Sequence, residues 1–266
     1  MESVTVKAPA KINWYLNVLS KRSDGYHNIE TVMQTVDIYY DTLTIKRNDG
    51  KDIRINIDNN VFGIDTAENN IIYKAAKKLG VYGVEIDLKK NIPVEAGLGG
   101  GSSDAASAMN VFNDMFELGL SKKELAANAA EVGADVPFFI YGGACVARGI
   151  GEQIEPVQPV TRYGFRIIKP CKGLSTGLIY SLMDKEETGA CPSLDVFLRH
   201  FNNEDDELAK YMFNAMEKVS EALCPEIGEA KKKLIDAGCI AAMMSGSGSA
   251  VFGLTEKDIS GKLTKK

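Results

Sequence analysis

The segment that decides the fold reads Pro93-Val94-Glu95-Ala96-Gly97-Leu98-Gly99-Gly100-Gly101-Ser102-Ser103-Asp104, and a helix-forming run over residues 105–118 follows it directly. Four of the five residues at positions 97–101 are glycines, so backbone N–H groups can approach an anion without interference from Cβ atoms. The first turn of the following helix would present more N–H groups and its positive dipole end to the same point. The sequence therefore predicts a phosphate-binding loop.

This loop differs from the phosphate-binding loop of the common nucleoside triphosphatases. That pattern places Gly-Lys-Ser/Thr at the helix entrance, and no lysine occurs between Asn91 and Ser121. Positive charge for the phosphates must therefore come from another part of the chain. The local alternative is an ordinary turn with Ser102 or Ser103 as the helix N-cap, which explains glycine and serine here but not so many glycines.

Length and composition describe an ordinary globular protein. The 266 residues suffice for two domains, and the hydrophobic fraction of 45% and charged fraction of 25% are typical of soluble chains. No run approaches the ~18 apolar residues of a membrane span, and no secretory signal is apparent, so we expect the cytoplasm. The net charge of −5 argues against a nucleic-acid partner. The oligomeric state is left open.

The cysteines and histidines argue against a disulfide framework and against a protein-only metal site. Five cysteines are an odd number, they are widely spaced, and no Cys-x-x-Cys pair occurs, which predicts reduced thiols. Only two histidines are present, so a His/Cys zinc site has almost no ligands available. We expect no transition-metal site built from side chains alone, although a hydroxyl of Ser102 or Ser103 could serve as one ligand of Mg²⁺.

The first half of the chain reads as an α+β domain. Alternating apolar residues predict strands at 4–8, 12–19, 31–40, 43–46, 53–57 and 84–88, with Ala8-Pro9-Ala10-Lys11 either breaking the ladder or forming a bulge. Helical spacing predicts helices at 70–79 and 105–118, and Ser121 with Glu124 forms a capping-box pattern for a third. A strand at 144–148 follows.

The second half begins after a proline-containing stretch, 156–161, that resembles a linker. Beyond it we predict a strand at 164–169 and helices at 176–183, 194–201, 208–223 and 226–237. Strands at 240–244 and 250–254 are joined by Ser245-Gly246-Ser247-Gly248-Ser249. We therefore divide the chain into domains 1–156 and 157–266.

Lys11 and Asp135 are the candidates for chemistry. Lys11 reads either as a solvated residue at a strand edge or as the charge that the glycine loop lacks. Asp135, in Gly133-Ala134-Asp135-Val136-Pro137, reads either as a helix N-cap or as a carboxylate that accepts a proton from an alcohol during phosphoryl transfer.

Two further segments suit ligand recognition. Tyr26 and His27 follow the turn Ser23-Asp24-Gly25 and offer a ring for stacking and an imidazole for hydrogen bonds, although a half-packed loop tyrosine is equally consistent with the sequence. The turn at 245–249 could be only a hairpin, or a second backbone surface that closes on a substrate.

Three of these motifs together resemble the GHMP kinases, the superfamily of galactokinase, homoserine kinase, mevalonate kinase and phosphomevalonate kinase. They are Lys11, the stretch 93–106 and the stretch 244–249, in that order. The stretches 10–13, 21–27, 133–139, 149–152 and 175–176, with Pro170, resemble most closely the branch that acts on a methylerythritol linked to cytidine diphosphate. The match covers about residues 4–254.

The resemblance implies an α+β GHMP-kinase architecture with two domains and the active site in the cleft between them. It implies phosphorylation of the substrate 2-hydroxyl by ATP, with Mg²⁺ held mainly through phosphate oxygens, in the non-mevalonate route to isoprenoid precursors. The alternatives are another GHMP-type small-molecule kinase and a catalytically silent nucleotide-binding module.

The resemblance also implies roles for individual residues. Asp135 matches the catalytic acid and Lys11 its partner. The residues that match ATP contacts are Pro93, Val94, Glu95, Ala96, Gly97, Leu98, Gly99, Gly100, Gly101, Ser102, Ser103 and Asn70. The residues that match substrate contacts are Asn13, Tyr26, His27, Thr176, Tyr180, Gly246 and Ser247, with Tyr180 expected to sandwich the base.

Two features depart from the family pattern. Where Asn-Asp-Leu-Glu is frequent, this chain has Asn214-Ala215-Met216-Glu217, so any contact of that aspartate is absent. Only twelve residues follow Leu254, so we expect a closing C-terminal helix to be short or frayed.

Overall fold

The computed structural model describes residues 3–58, 60, 63–171, 173–183 and 191–256. The chain divides into two compact units, each made of separate stretches of sequence. The first unit comprises Met1–Ala10, Tyr39–Val94 and Gly99–Gly142, and the second comprises Lys11–Ile38, Glu95–Leu98 and Gly143–Lys266. The sequence-based division at residue 156 stays a prediction. The expected C-terminal helix falls in 257–266, outside the described residues.

The first unit packs helices on a sheet. Two long strands, β1 (Ser3–Lys21) and β2 (His27–Arg47), contribute residues to both units. The Thr42–Arg47 part of β2 pairs antiparallel with β4 (Val84–Lys89), which pairs parallel with β3 (Ile53–Ile57). The helices are α1 (Ile71–Lys78), α2 (Gly100–Met115), α3 (Lys122–Ala130) and α4 (Val136–Tyr141).

The core of the first unit lies between these strands and the first two helices. Leu43, Ile45 and Ile86 from the strands are buried against Ile72 of α1 and Phe112 of α2. Burial of such side chains contributes about 1.5–3 kcal/mol each, which fixes the helices against the sheet. The N-terminus of α2, where the glycine-rich loop ends, is thereby held in place.

The second unit contains two sets of paired strands. The Ile29–Gln34 part of β2 pairs antiparallel with β5 (Ala144–Gly149), and β5 pairs with β6 (Gln153–Val157). A separate three-stranded sheet has the order β7 (Tyr163–Ile168), β10 (Val251–Glu256), β9 (Ala241–Met244). Between β7 and β9 lie α5 (Thr176–Met183), α6 (Leu194–Asn203), α7 (Leu208–Tyr211), β8 (Phe213–Asn214), α8 (Glu217–Leu223) and α9 (Glu226–Asp236).

An aromatic cluster forms much of the core of the second unit. Trp14 is fully buried, with Phe165, Phe201 and Phe252 edge-on to its ring at centroid distances of 5.7, 5.8 and 6.3 Å. Its indole N–H donates to Gln34 Oε1 at 3.0 Å, so the polar end of the ring is satisfied in the core. Strand β1 is thereby anchored a few residues after Lys11.

The predicted α+β class is confirmed, and several local predictions match well. Helix α5 and strand β3 have the predicted bounds. The capping box at α3 is formed, with the Ser121 hydroxyl accepting from the Glu124 backbone and the Glu124 carboxylate accepting from the Ser121 backbone. These elements depend on signals within a few residues, which is why the sequence reveals them.

Five local predictions are wrong. Strand β1 continues through Pro9 without a break, and β2 joins the two strands predicted within 31–46. Helix α2 begins five residues before the predicted start at Ala105, inside the glycine run. The predicted helix 208–223 is divided into α7, β8 and α8, because Asn214 pairs with Leu16 of β1. Strand β6 includes Pro156, at the start of the stretch that resembled a linker.

The thiols also differ from expectation. Cys171 and Cys224 form a disulfide across a sequence separation of 53 residues, whereas Cys145, Cys191 and Cys239 are free. The expectation of five reduced thiols is therefore wrong for this pair. The loop after β7 and the end of α8 meet only in the folded chain, so sequence spacing could not indicate the bond. In the described part of the chain, none of the helices is long and apolar enough to span a membrane.

Candidate active site

Lys11 is a buried residue of the second unit, held by a chain of hydrogen bonds. Lys11 is only 3% exposed, and its ammonium donates a hydrogen bond to Asn13 Oδ1 at 2.6 Å. The Asn13 amide donates to the Thr31 hydroxyl at 2.9 Å, and that hydroxyl donates to the Tyr15 carbonyl at 2.6 Å. A solvated edge lysine is therefore excluded. Burying an ammonium is unfavourable unless partners stabilise its charge, which suits a site for an anion.

The middle of the glycine-rich loop lies against Lys11. The backbone N–H of Lys11 donates to the Leu98 carbonyl at 2.9 Å. The Ser245 hydroxyl donates to the Gly97 carbonyl at 3.0 Å and to Asn13 Oδ1 at 3.4 Å. Within the second unit, the structure thus brings together parts of all three sequence motifs: the lysine, the glycine loop and the serine–glycine turn.

The turn between β9 and β10 packs closely against the glycine-rich loop, and its backbone conformation favours glycine at position 246. The strands pair antiparallel with Met244 opposite Val251, so the turn does close a hairpin. Gly246 has φ +57, and a Cβ atom there would lie 3.1 Å from the Gly97 carbonyl oxygen and 3.2 Å from Lys11 Nζ. The hydroxyls of Thr176 and Ser247 are hydrogen-bonded at 2.7 Å. The candidate substrate residues Thr176, Gly246 and Ser247 therefore lie in the same region as Lys11.

Asn214 and Glu217 support this turn, and sequence reasoning missed their role. The buried Asn214 amide donates to the Met244 carbonyl at 2.9 Å and to the Gly246 carbonyl at 2.8 Å. Glu217 Oε2 accepts from the Met244 backbone N–H at 2.6 Å. The Asn-Ala-Met-Glu stretch drew attention for its missing aspartate, whereas its first and last residues hold the turn. An asparagine and a glutamate within a predicted helix were the available signal.

His27 and Tyr180 form a stacked aromatic pair in the second unit. Their ring centroids are 4.8 Å apart with an interplanar angle of 13°. A base sandwiched between two rings needs them about 7 Å apart, since each stacked layer occupies about 3.5 Å. The sandwich predicted for Tyr180 therefore uses its opposite face or requires His27 to move. Tyr26 is 60% exposed, so its ring is accessible from solvent.

The rest of the glycine-rich loop belongs to the first unit. Gly99, with φ +71, occupies the N-cap position of α2 and has no side chain to bond the first N–H groups of the helix. Ser103 in the first turn is fully buried, and its hydroxyl has no hydrogen-bond partner within the described residues. This end of a 16-residue helix has the chemistry of an anion site.

Asn70 has a structural function in the first unit. It is the N-cap of α1, where its Oδ1 accepts from the Ile72 backbone N–H at 2.8 Å. Its amide donates to the Asp65 carbonyl at 2.6 Å. Both ends of the side-chain amide are thus engaged locally, and its contact with adenine stays a prediction.

Asp135 occupies the N-cap position of α4, yet its side chain makes no capping hydrogen bond. Its backbone is helical at φ −86 and ψ −8, and the next residues, Val136 to Phe138, are buried. The carboxylate is therefore not used to cap the helix, which weakens the purely structural interpretation. Asp135 lies in the first unit and Lys11 in the second, and their pairing stays a prediction.

Comparison with known proteins is consistent with these observations. The model of the GHMP kinases N terminal domain matches residues 70–143, and the model of the GHMP kinases C terminal matches residues 198–263. A 4-diphosphocytidyl-2-C-methyl-D-erythritol kinase from Alkaliphilus metalliredigens is 41% identical over 260 residues, covering 96% of this chain and 88% of that relative. The kinase of the same name from Lachnospira eligens is 40% identical over 96% of this chain and 89% of that relative.

Solved structures agree with this placement. A crystal structure of 4-(cytidine 5'-diphospho)-2C-methyl-D-erythritol kinase superposes with a TM-score of 0.78 at 31% identity, covering 95% of this chain and 90% of that one. Homoserine kinase from Cytophaga hutchinsonii superposes with a TM-score of 0.73 at 23% identity, covering 96% of this chain and 86% of that one. This similarity shows a shared fold. The chain belongs to the 4-diphosphocytidyl-2-C-methyl-D-erythritol kinase family of the GHMP kinases.

Proposed function

We propose that this kinase transfers the γ-phosphoryl group of ATP to the 2-hydroxyl of 4-diphosphocytidyl-2-C-methyl-D-erythritol, a step of the non-mevalonate route to isoprenoid precursors. The observation that carries the proposal is the convergence of Lys11, Gly97 and Ser245 in the second unit, joined through Asn13. Family membership at 41% identity supports the substrate assignment.

The glycine-rich loop binds the phosphates of ATP in this proposal. Gly97 and Gly99 have positive φ values of 72 and 71, which turn the backbone so that successive N–H groups can face one anion. The uncapped N-terminus of α2 adds donors and a favourable dipole. The residues we assign to ATP are Pro93, Val94, Glu95, Ala96, Gly97, Leu98, Gly99, Gly100, Gly101, Ser102 and Ser103, with Asn70 near adenine.

Lys11 stabilises negative charge on the transferred phosphoryl group and on the attacking oxygen. Its ammonium is buried and fixed by Asn13, so the charge is already placed before the substrate arrives. In a low-dielectric site such a fixed charge is far more effective than in water. The transition state of phosphoryl transfer is loose, so placement of charge matters more than proton removal.

Asp135 accepts the proton of the 2-hydroxyl as that oxygen attacks the phosphorus atom. A carboxylate beside the buried residues Val136 and Phe138, and not engaged in capping α4, has the chemistry of this base. The negative charge of Asp135 also orients the hydroxyl for attack.

Substrate recognition uses the aromatic pair and the serine–glycine turn. Tyr26, His27 and Tyr180 bind the cytosine by stacking and hydrogen bonding. Asn13 contacts the methylerythritol end, and Thr176, Gly246 and Ser247 contact the substrate near the turn. Together these residues would distinguish a cytidine-bearing substrate from homoserine or mevalonate.

Mg²⁺ enters this proposal as a companion of ATP. The buried Ser103 hydroxyl, which lacks a partner within the described residues, has the chemistry of one oxygen ligand. In the described part of the chain, the one group of side chains close enough to suggest a metal site is Cys171, Cys224 and Glu226, but its two cysteines are joined in the disulfide and offer no thiolate to an ion. The ion would therefore be held mainly through phosphate oxygens, where it neutralises charge on the transferred group.

A coupled ADP-release assay tests the substrate assignment. We expect turnover with the cytidyl-linked methylerythritol and little with free methylerythritol or homoserine. Lys11→Met should lower kcat by about a hundredfold or more, whereas Lys123→Met, on the exposed face of α3, should leave turnover unchanged. A preference for homoserine would assign the chain to another GHMP activity, and absence of turnover with all three would indicate a silent nucleotide-binding module.

A further inference from the structure

A buried cluster of three charged side chains lies in the first unit, outside the catalytic assignments above. The Lys90 ammonium contacts Asp41 Oδ2 and donates to Asp104 Oδ2 at 2.7 Å. The side chains of Lys90, Asp41 and Asp104 are 6%, 0% and 4% exposed. By comparison, the side chains of the Lys46–Asp87 pair in the same unit are 39% and 42% exposed.

The cluster joins the two sequence ends of the glycine-rich loop. Lys90 directly follows β4 and precedes the loop, and Asp104 lies near the start of α2, after the loop. Asp41 Oδ1 also accepts from the backbone N–H groups of Asn91 at 2.6 Å and Ile92 at 2.8 Å. The chain entering the loop is therefore held by Asp41, the helix leaving it is held by Asp104, and Lys90 connects the two carboxylates.

The balance of charge in the cluster is unusual for a structural ion pair. One ammonium serves two carboxylates, and Asp104 Oδ1 is buried without a hydrogen-bond partner within the described residues. Burial raises the pKa of Asp104 well above its usual range, against the opposing effect of Lys90. For Lys90, burial lowers the pKa but the two carboxylates outweigh it, so its pKa is raised and the ammonium stays charged.

Such a cluster is a poor source of stability. Replacing buried ion pairs by apolar side chains of similar size is often neutral or stabilising, because desolvation offsets the attraction between the charges. What the cluster does provide is fixed geometry, since each hydrogen bond specifies both distance and direction. Because the cluster lies at both ends of the glycine-rich loop, the geometry that it fixes is that of the loop.

We propose that Asp41, Lys90 and Asp104 are positioning residues that set the conformation in which the glycine-rich loop receives the nucleotide phosphates. The inference rests on the proposed function of this loop in ATP binding. Because the two ends of the loop are tied together, its backbone N–H groups are ordered before the nucleotide arrives. Less conformational entropy is then lost on binding.

Packing at the first residue of α2 supports this arrangement. A Cβ atom on Gly100 would lie 3.0 Å from Ile92 Cγ2 and 3.3 Å from Lys90 Nζ. Helix α2 therefore begins in direct contact with Lys90 and with the segment that Asp41 holds. Glycine at position 100 lets the end of the loop approach the cluster closely.

The test compares nucleotide binding with stability in three variants. Asp104→Asn keeps an acceptor for Lys90 but removes the charge, Lys90→Met removes the connection, and the double variant Lys90→Met/Asp104→Leu replaces the pair by apolar side chains. Matched controls are Asp87→Asn, which neutralises the exposed ion pair, and Lys89→Met at the exposed neighbouring position. ADP affinity is measured by calorimetry without the cytidyl substrate, alongside the melting temperature and the kinetic constants.

We expect the double variant to fold with a lower melting temperature, because the buried Asp41 loses its ammonium partner, and we expect its folded fraction to bind ADP about ten- to a hundredfold more weakly. The KM for ATP should rise in Asp104→Asn, while the KM for the cytidyl substrate and the ADP affinity of both controls stay unchanged. Wild-type ADP affinity in a folded double variant would overturn the positioning role. The positioning role would also be overturned if the loss of ADP affinity across the variants only paralleled the loss of folded protein. An incorrect substrate assignment would instead appear as absent turnover with intact ADP binding by the wild type.

Discussion

Replacing Gly97 by alanine should disrupt the contact between the glycine-rich loop and the serine–glycine turn. A Cβ atom at this position would lie 1.9 Å from the Ser245 carbonyl oxygen, whereas ordinary contact begins at 3.4 Å. One of the two backbones would therefore have to move by about 1.5 Å. Movement of either backbone is unfavourable, because it would break hydrogen bonds. The Ser245 hydroxyl donates to the Gly97 carbonyl, and the Asn214 amide donates to the Gly246 carbonyl on the other side of the turn.

The expected magnitude has two parts. Alanine at φ +72 is strained by about 1–2 kcal/mol, and forcing a methyl group into a closely packed site costs about 1–3 kcal/mol. We therefore expect Gly97→Ala to lower the free energy of unfolding by about 2–5 kcal/mol. A displacement above 1 Å at a phosphate loop should also lower kcat by about a hundredfold.

Gly80→Ala provides the matched control. Gly80 has nearly the same φ of +68, but a Cβ atom there would meet nothing within 4 Å. Gly80→Ala has the same backbone strain without the steric overlap. It should therefore lower the free energy of unfolding by only about 1–2 kcal/mol and leave kcat unchanged. Urea unfolding and steady-state kinetics of both variants provide the comparison. Equal losses of stability and equal activity in the two variants would refute the close approach of loop and turn.

Three further predictions concern other parts of the molecule. Asn214→Ala should lower the free energy of unfolding by about 1–3 kcal/mol and raise the KM of the cytidyl substrate, because two carbonyls of the turn lose their donor; an unchanged KM would contradict this role. Thiol titration of the denatured, unreduced protein should count three free thiols and five after reduction, and a count of five before reduction would exclude the Cys171–Cys224 bond. Hydrogen bonds from the Ser121 hydroxyl and backbone lower the pKa of Glu124, so the stabilisation from this box is complete at neutral pH and is lost as the pH falls through that lowered pKa. The melting temperatures of wild type and Glu124→Gln should therefore differ at pH 7 and converge in acid, and a difference that persists in acid would rule out this origin.

Elements with local signals could be predicted from the sequence. The capping box at Ser121, the bounds of α5 and the hairpin around residues 245–249 each depend on a few adjacent residues. The glycine-rich loop was also recognisable, although the start of α2 was not. Gly100 and Gly101 have poor helix propensity, and packing of Gly100 against Ile92 overrides it.

Features that depend on distant residues could not be predicted. The predicted helix 208–223 failed because Asn214 pairs with β1, about two hundred residues earlier in the sequence. The disulfide and the Asp41–Lys90–Asp104 cluster likewise join residues that the sequence separates. For the candidate site, Lys11 was singled out because the glycine-rich loop has no lysine of its own, its catalytic role came from the family resemblance, and its burial emerged only in the structure. For Asn214, an asparagine within a predicted helix was a local signal, but it could not indicate the carbonyl partners at Met244 and Gly246.

The central claim is that this chain phosphorylates the 2-hydroxyl of the cytidyl substrate and that Asp135 takes part in the transfer. The most direct measurement is ³¹P NMR of the product formed from ATP and 4-diphosphocytidyl-2-C-methyl-D-erythritol by the wild type and by Asp135→Asn. We predict a new phosphomonoester signal at the 2-oxygen with the wild type, formed at least about a hundredfold more slowly by the variant at unchanged melting temperature. A phosphorylated product at another hydroxyl, or equal rates for the two proteins, would contradict the account.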